Sequence, residues 1–130
     1  ISKQQGLELS SSWLVSESVV LDASYTYTDS TQEGVDEIRR AQNLGSLNLL
    51  WRVQENLTIN ANTQYNGKQT DIGGVTLDAF TLVNLNANLN ATDNLDIYLR
   101  LDNLFDEDYQ EIFGYQTLGF GASLGLRYSL

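Results

Sequence analysis

Apolar side chains recur at every second residue through most of this chain, and no other feature narrows its possible folds as far. In the last segment Phe120, Ala122, Leu124, Leu126, Tyr128 and Leu130 alternate with Gly119, Gly121, Ser123, Gly125, Arg127 and Ser129. One face is apolar and the other small or polar, the pattern of a strand whose two sides meet different surroundings. Between 82 and 91, Val83, Leu85, Ala87, Leu89 and Ala91 oppose Asn84, Asn86, Asn88 and Asn90. The alternation recurs over 57–66 and 95–102 and, less regularly, over 7–15, 19–28 and 46–53. It predicts an all-β chain, an antiparallel up-and-down meander of about seven long strands. The chain contains no Pro, which suits long paired strands because Pro cannot donate to a ladder.

Segment length narrows the choice further. Each segment runs to roughly ten residues, where soluble strands favour ~5–6 and a tilted membrane-crossing strand needs ~9–11. At ~3.3 Å per residue and ~45° tilt, such a strand rises about 23 Å, close to the apolar band of an outer-membrane barrel. The connections alternate too. Those at 16–17, 54–56 and 92–94 are tight turns, whereas 29–43, 67–77 and 103–117 are long, polar and rich in Gly and Asp. Short turns on one rim and long loops on the other is the bacterial barrel pattern, with the short turns periplasmic and Leu130 therefore on that side. No window reaches the ~18 apolar residues of a transmembrane helix, and no signal peptide opens the chain. The first residue is Ile1, so the N-terminus is read as a cut made inside a longer protein.

If the apolar register faces outward, Glu8, Asp22, Arg52, Asp96, Arg100, Asp102 and Arg127 all fall on the opposite face. A basic residue at the bilayer midplane would cost ~2–4 kcal/mol, although a soluble sheet with one wet face segregates its charges in the same way. The aromatic positions discriminate better. Trp13 and Trp51 sit outward beside short turns, Tyr25, Tyr27 and Tyr65 outward beside long loops, and Phe120 and Tyr128 at the two ends of the last strand. Two aromatic belts at two heights are expected where amphipathic rings settle at two lipid–water interfaces; the plainer reading is the β-propensity of aromatics. The inward face is mostly Asn, Ser, Thr, Gln and Gly. That is too little apolar area for a core, and a solvated channel or a polar plug is its natural partner.

The chain has neither Cys nor His. Disulfides, thiolate metal sites and the commonest general base are therefore excluded, and neither an enzyme nor a cofactor is expected. A net charge of −10, from 17 acidic and 7 basic residues, argues against nucleic acid as a partner; a solvated surface explains it more simply than a cation-attracting field does. The densest acidic cluster, Asp102, Asp106, Glu107, Asp108 and Glu111, offers hard oxygens to a divalent cation. It lacks EF-hand spacing and reads better as a solvated extracellular loop. Two glycosylation-type triplets, at Asn56–Thr58 and Asn90–Thr92, lie at strand ends and carry little weight. Gly119 and Gly121 precede no helix, so they make no phosphate loop. Tyr109 and Tyr115 are open to two readings, ligand contact or loop packing.

The run Leu101-Asp102-Asn103-Leu104-Phe105-Asp106-Glu107-Asp108-Tyr109 is followed by Phe113-Gly114-Tyr115-Gln116-Thr117 and closes on Gly125-Leu126-Arg127-Tyr128-Ser129-Leu130. It resembles the C-terminal signature of TonB-dependent outer-membrane transporters, nearest to the vitamin B12 and catecholate-siderophore branch. Segments 21–30 and 44–53 resemble the family's strands more loosely. The resemblance implies a barrel of roughly 22 strands with a plug in its lumen, in the outer membrane of a Gram-negative-type bacterium. It implies energised uptake, through TonB, of a scarce nutrient such as a ferric siderophore or vitamin B12. Residues 1–130 would then be the C-terminal third of that barrel, without the plug or the TonB box. Ser123, Gly125, Tyr128 and Leu130 resemble the signal read by the barrel-assembly machinery, although its usual last residue is aromatic. Phe120 stands where many members carry a polar or basic residue, which departs from the branch pattern. Two other readings stay open: a soluble all-β sandwich module, whose apolar face would pack on a second sheet, and another outer-membrane barrel such as a porin-like pore.

Overall fold

The structure, a computed structural model, describes residues 1–130. In chain order the strands are β1 (Ser2–Ser16), β2 (Val19–Gln32), β3 (Val35–Asp36), β4 (Asn43–Gln54), β5 (Leu57–Asn66), β6 (Gln69–Asp71), β7 (Val75–Leu77), β8 (Phe80–Thr92), β9 (Leu95–Asp102) and β10 (Gly121–Tyr128). Seven of them form one antiparallel sheet in the order β1-β2-β4-β5-β8-β9-β10. This is the up-and-down meander that the alternation predicts. The short β3 folds back on the end of β2, and β6 pairs only with β7.

Register converts alternation into two unlike surfaces. Trp13, Leu21, Leu49, Ala61, Leu85, Leu101 and Ala122 are successive cross-strand partners, an unbroken apolar row across seven strands. One residue along, Ser12, Asp22, Asn48, Asn62 and Asn84 form a polar row on the other face. The apolar face has no second layer over it. Even in mid-sheet Leu47 and Trp51 remain 42% and 41% exposed, so a sandwich burying this face within the chain is ruled out. Only seven residues are buried, whereas 67 of 78 backbone–backbone hydrogen bonds lie within the strands. Pairing, and not a core, holds the sheet together.

The short turns repeat one design. Glu17-Ser18, Glu55-Asn56 and Asp93-Asn94 form the bends, and each is preceded by a register shift, at Leu14/Ser16, Arg52/Gln54 and Asn90/Thr92. The skipped residues, Val15, Val53 and Ala91, are bulges, which sharpen local twist beside a turn. Each turn then accepts a bond from a residue further along the chain. Ser18 C=O receives Arg52 N–H, Asn56 C=O receives Asn90 N–H and Asn94 C=O receives Ser129 N–H, all at 2.8 Å.

The strands depart from the sequence reading at the opposite rim. β1 and β2 continue above Tyr27, where Ser2–Gly6 pairs with Thr28–Gln32. Neither side is apolar there, so alternation gave no sign of it; backbone pairing does not need an oily face. The extension also places Lys3 and Asp29 in the outward register, beyond the tyrosines, where Gln5 Nε2 donates to Asp29 Oδ2 at 3.3 Å. Glu33 and Gly34 turn β2 into β3 with φ of 54° and 83°, the left-handed pair that a two-residue hairpin demands. At the C-terminal end the paired strand is shorter than expected, since Gly119, Phe120, Ser129 and Leu130 lie outside β10.

Candidate functional site

Three regions carry the candidate residues: the outward apolar face, the turn after β9 and the long-loop rim. On the outward face Trp13 lies opposite Leu21, and Trp51 between Val19 and Ile59. Tyr25 and Tyr65 flank Gly45 from the two sides, and Tyr27 lies between Leu7 and Asn43. Tyr25 donates its hydroxyl to Asn43 Oδ1, the behaviour of a ring with one apolar end and one wet end. Phe120 precedes β10 and Tyr128 ends it, opposite Leu95. Gly125 lies opposite Tyr98 on the polar face, where a Cβ would stand in ordinary contact, 3.6 Å from Tyr98 Cδ2. Leu130 is fully exposed.

The turn after β9 gathers the sequence motif into one clasp. Asp102 ends the strand and accepts Arg100 Nε at 2.9 Å. Asn103 then adopts φ 49°, a left-handed conformation that Asn tolerates better than most residues. This swings its side chain into a buried position. Its Nδ2 donates to Glu107 C=O at 3.0 Å and Leu118 C=O at 3.3 Å, and its Oδ1 accepts Glu107 N–H at 2.8 Å. Its own N–H donates to Asn84 Oδ1 at 2.9 Å. Leu104 N–H still reaches Val83 C=O, and Phe105 is left 74% exposed. Asp106, at φ 51°, accepts Phe120 N–H at 2.9 Å. A side chain on Gly119 would collide with that same Asp106 oxygen. The two ends of the 103–120 loop are thereby fastened just where β10 begins. Asp102 and Asp106 are committed to Arg100 and Phe120 and do not converge with Glu107, Asp108 and Glu111 on a common point.

The long-loop rim contains residues that the sequence did not single out. Asp71 is 1% exposed and holds three loops together. Its Oδ1 accepts Ile72 N–H at 2.7 Å and Arg39 Nε at 2.8 Å, and its Oδ2 accepts Phe113 N–H at 2.7 Å. The Phe113 and Ile72 amides, with Arg39 beside them, hold its carboxyl below the usual aspartate range despite the opposing effect of burial. Gln69 Nε2 adds a bond to Glu111 C=O at 2.7 Å. Phe80 sits at a polar-face position opposite Asn66, yet it is buried because the Tyr109 ring covers it, centroids 4.5 Å apart. Of the two loop tyrosines, Tyr109 therefore packs and Tyr115 projects, 70% exposed. The local signal for Asp71 was the Asp-Ile-Gly-Gly turn sequence; nothing local pointed to Arg39 or Phe113 as its partners.

Residues 2–104 match the family model described as "TonB dependent receptor-like, beta-barrel". A vitamin B12 transporter, BtuB, of Photobacterium profundum is 33% identical over 92% of this chain. An iron-regulated outer membrane virulence protein of Vibrio cholerae is 34% identical over 93% of it. The chain spans about 20% of the length of each of these curated relatives. Among solved structures, the pyoverdine outer membrane receptor FpvA of Pseudomonas aeruginosa superposes with a TM-score of 0.83 over 99% of this chain and 22% of that one, at 19% identity. At that identity the likeness speaks for the fold.

Proposed function

The chain belongs to the TonB-dependent receptor β-barrel family of the Gram-negative outer membrane, and from that premise we propose that it is the C-terminal part of a transporter that takes up a scarce nutrient of the vitamin B12 or ferric-siderophore class. The observation that carries this reading is the uncovered apolar row from Trp13 to Ala122, backed by a polar row on the reverse. A surface of that kind is stable against hydrocarbon, with water or a polar plug behind it. The relatives named for vitamin B12 and for iron regulation supply the cargo class.

In this reading Trp13, Trp51 and Tyr128 mark the periplasmic interface and Tyr25, Tyr27, Tyr65 and Phe120 the extracellular one. Gly125, Tyr128 and Leu130 serve as the assembly signal. The motif Asp102, Asn103, Leu104, Phe105, Asp106, Asp108 and Tyr109 leads into the last strand, with Asn103 and Asp106 as its fasteners. The rest of the barrel, its plug and TonB are the partners that complete transport, and in this reading the chain serves as transporter wall, not as an enzyme.

The test is uptake. The complete gene, expressed in a strain lacking its own receptors, should deliver labelled cyanocobalamin or a labelled ferric siderophore to the cell. Delivery should stop when TonB is deleted. A protein found in the soluble fraction, or cargo delivery that persists without TonB, would refute the assignment.

A further inference from the structure

Between the β7–β8 connection and the 103–120 loop lies an open cleft of 260 Å³. Its floor is apolar, formed by the buried Leu77 and Phe80 with Tyr109 packed on Phe80. Phe113 forms one wall and stays 56% exposed. Asp78 and Asp108 line the same cleft, and no Lys or Arg does.

We propose that this cleft binds an organic cation on a short apolar stem, an alkylammonium or alkylguanidinium group. Each part of the lining has a counterpart in such a ligand. The stem buries against Leu77 and the rings, as the methylenes of Lys and Arg do on apolar surfaces. The cationic head gains from the faces of Tyr109 and Phe113, an attraction that reaches about 6 Å from a ring centroid. The two carboxylates supply countercharge and charge-assisted acceptors. Asp78 and Asp108 are exposed, so a neutral ligand gains nothing from them, and an anion would meet two like charges.

The cleft is also built before any ligand arrives. Asp71 grips the Phe113 amide, Thr117 Oγ1 donates to Tyr109 C=O at 2.8 Å, and Asn103 closes the loop between them. Little ordering entropy remains to be lost on binding. The proposal holds whichever nutrient the barrel carries. Two sources offer the same chemistry, a free amine or the Lys or Arg side chain of a polypeptide.

The test titrates n-butylammonium and, as the uncharged control, n-butanol into the full-length receptor purified in detergent, by calorimetry. Saturable binding of butylammonium and none of butanol is expected. Asp78→Asn with Asp108→Asn should weaken it about tenfold, the scale for two partly exposed charge pairs, and Phe113→Ala severalfold. Heat-modifiable gel mobility checks that each variant is folded, and cargo uptake measured in parallel reports on transport separately. Competition by the capped tripeptide Leu-Lys-Leu at lower concentration than butylammonium, with Leu-Gln-Leu inert, would assign the polypeptide source; weaker competition would assign the free amine. Absence of saturable binding, butanol binding as well as butylammonium, or folded variants that bind like the parent would overturn the proposal.

Discussion

The two rims of this sheet are built on opposite plans. At the short-turn rim three hairpins repeat the same bulge and two-residue bend, and no residue is buried there. At the long-loop rim lie all seven buried residues, Ser30, Ala41, Gly67, Asp71, Leu77, Phe80 and Asn103. The strands between them bury nothing either. Where hydrocarbon covers one face, alternation and ladder bonds suffice, because the bilayer takes the place of a core. Above the bilayer the chain stands in water, and the long loops must satisfy their own backbone groups. They do so with buried polar side chains, Asp71 and Asn103, each serving several partners at once.

That contrast can be broken most forcefully in the apolar row. Leu49→Arg should lower stability by ~2–4 kcal/mol, measured by urea titration of the protein folded into lipid vesicles. Asn62→Arg, on the polar face, should change it little. Equal costs on the two faces would remove the bilayer from the explanation.

Next in size is Asn103→Ala, which leaves Glu107 and Leu118 backbone groups without their partner. A cost of about 2 kcal/mol is expected. It should appear as faster hydrogen exchange in the 103–120 loop and at the start of β10, while the short turns exchange as before. Asp71→Asn should expose the loops at 39, 71 and 113 to protease without unfolding the sheet.

The Asp71 network has a pH signature. Because folding lowers the Asp71 pKa, its contribution is complete above the unfolded value of ~3.9 and is lost as pH falls through the lower folded value. Protease resistance of these loops should therefore persist at pH 5 and fade only below ~4. Loosening near neutral pH would mean that Asp71 is not the fastener. The smallest effect is expected at the other rim. Thr92→Val removes only the weak Thr92 Oγ1 acceptor for Asn94 N–H, 3.3 Å away, and should cost under ~0.5 kcal/mol.

The sequence was most informative where one physical rule acts alone. Strands β5 and β9 begin and end at the residues where alternation begins and ends, because nothing but the two faces determines them. The extension of β1 and β2 above Tyr27 carries no such pattern, since both faces there meet water. The loop network was illegible for a different reason. Asp71 is joined to Arg39 and Phe113 across 32 and 42 residues, and a single sequence contains no periodicity that links such positions. The motif after β9 stood out as a family likeness, but its physical content lay hidden. Asn103 and Asp106 matter because they take left-handed backbone conformations and turn their side chains to the chain entering β10.

The recurring bond from each tight turn to a residue further along the chain has a consequence for how such a wall can change in size. Ser18, Asn56 and Asn94 each offer the same carbonyl seat, and Arg52, Asn90 and Ser129 occupy those seats in the same way. Neighbouring hairpins are therefore interchangeable at their junctions. Deleting or duplicating one whole hairpin would present an identical seat to the next, leaving the stagger of all the others untouched, so the circumference of the wall can grow or shrink in steps of two strands.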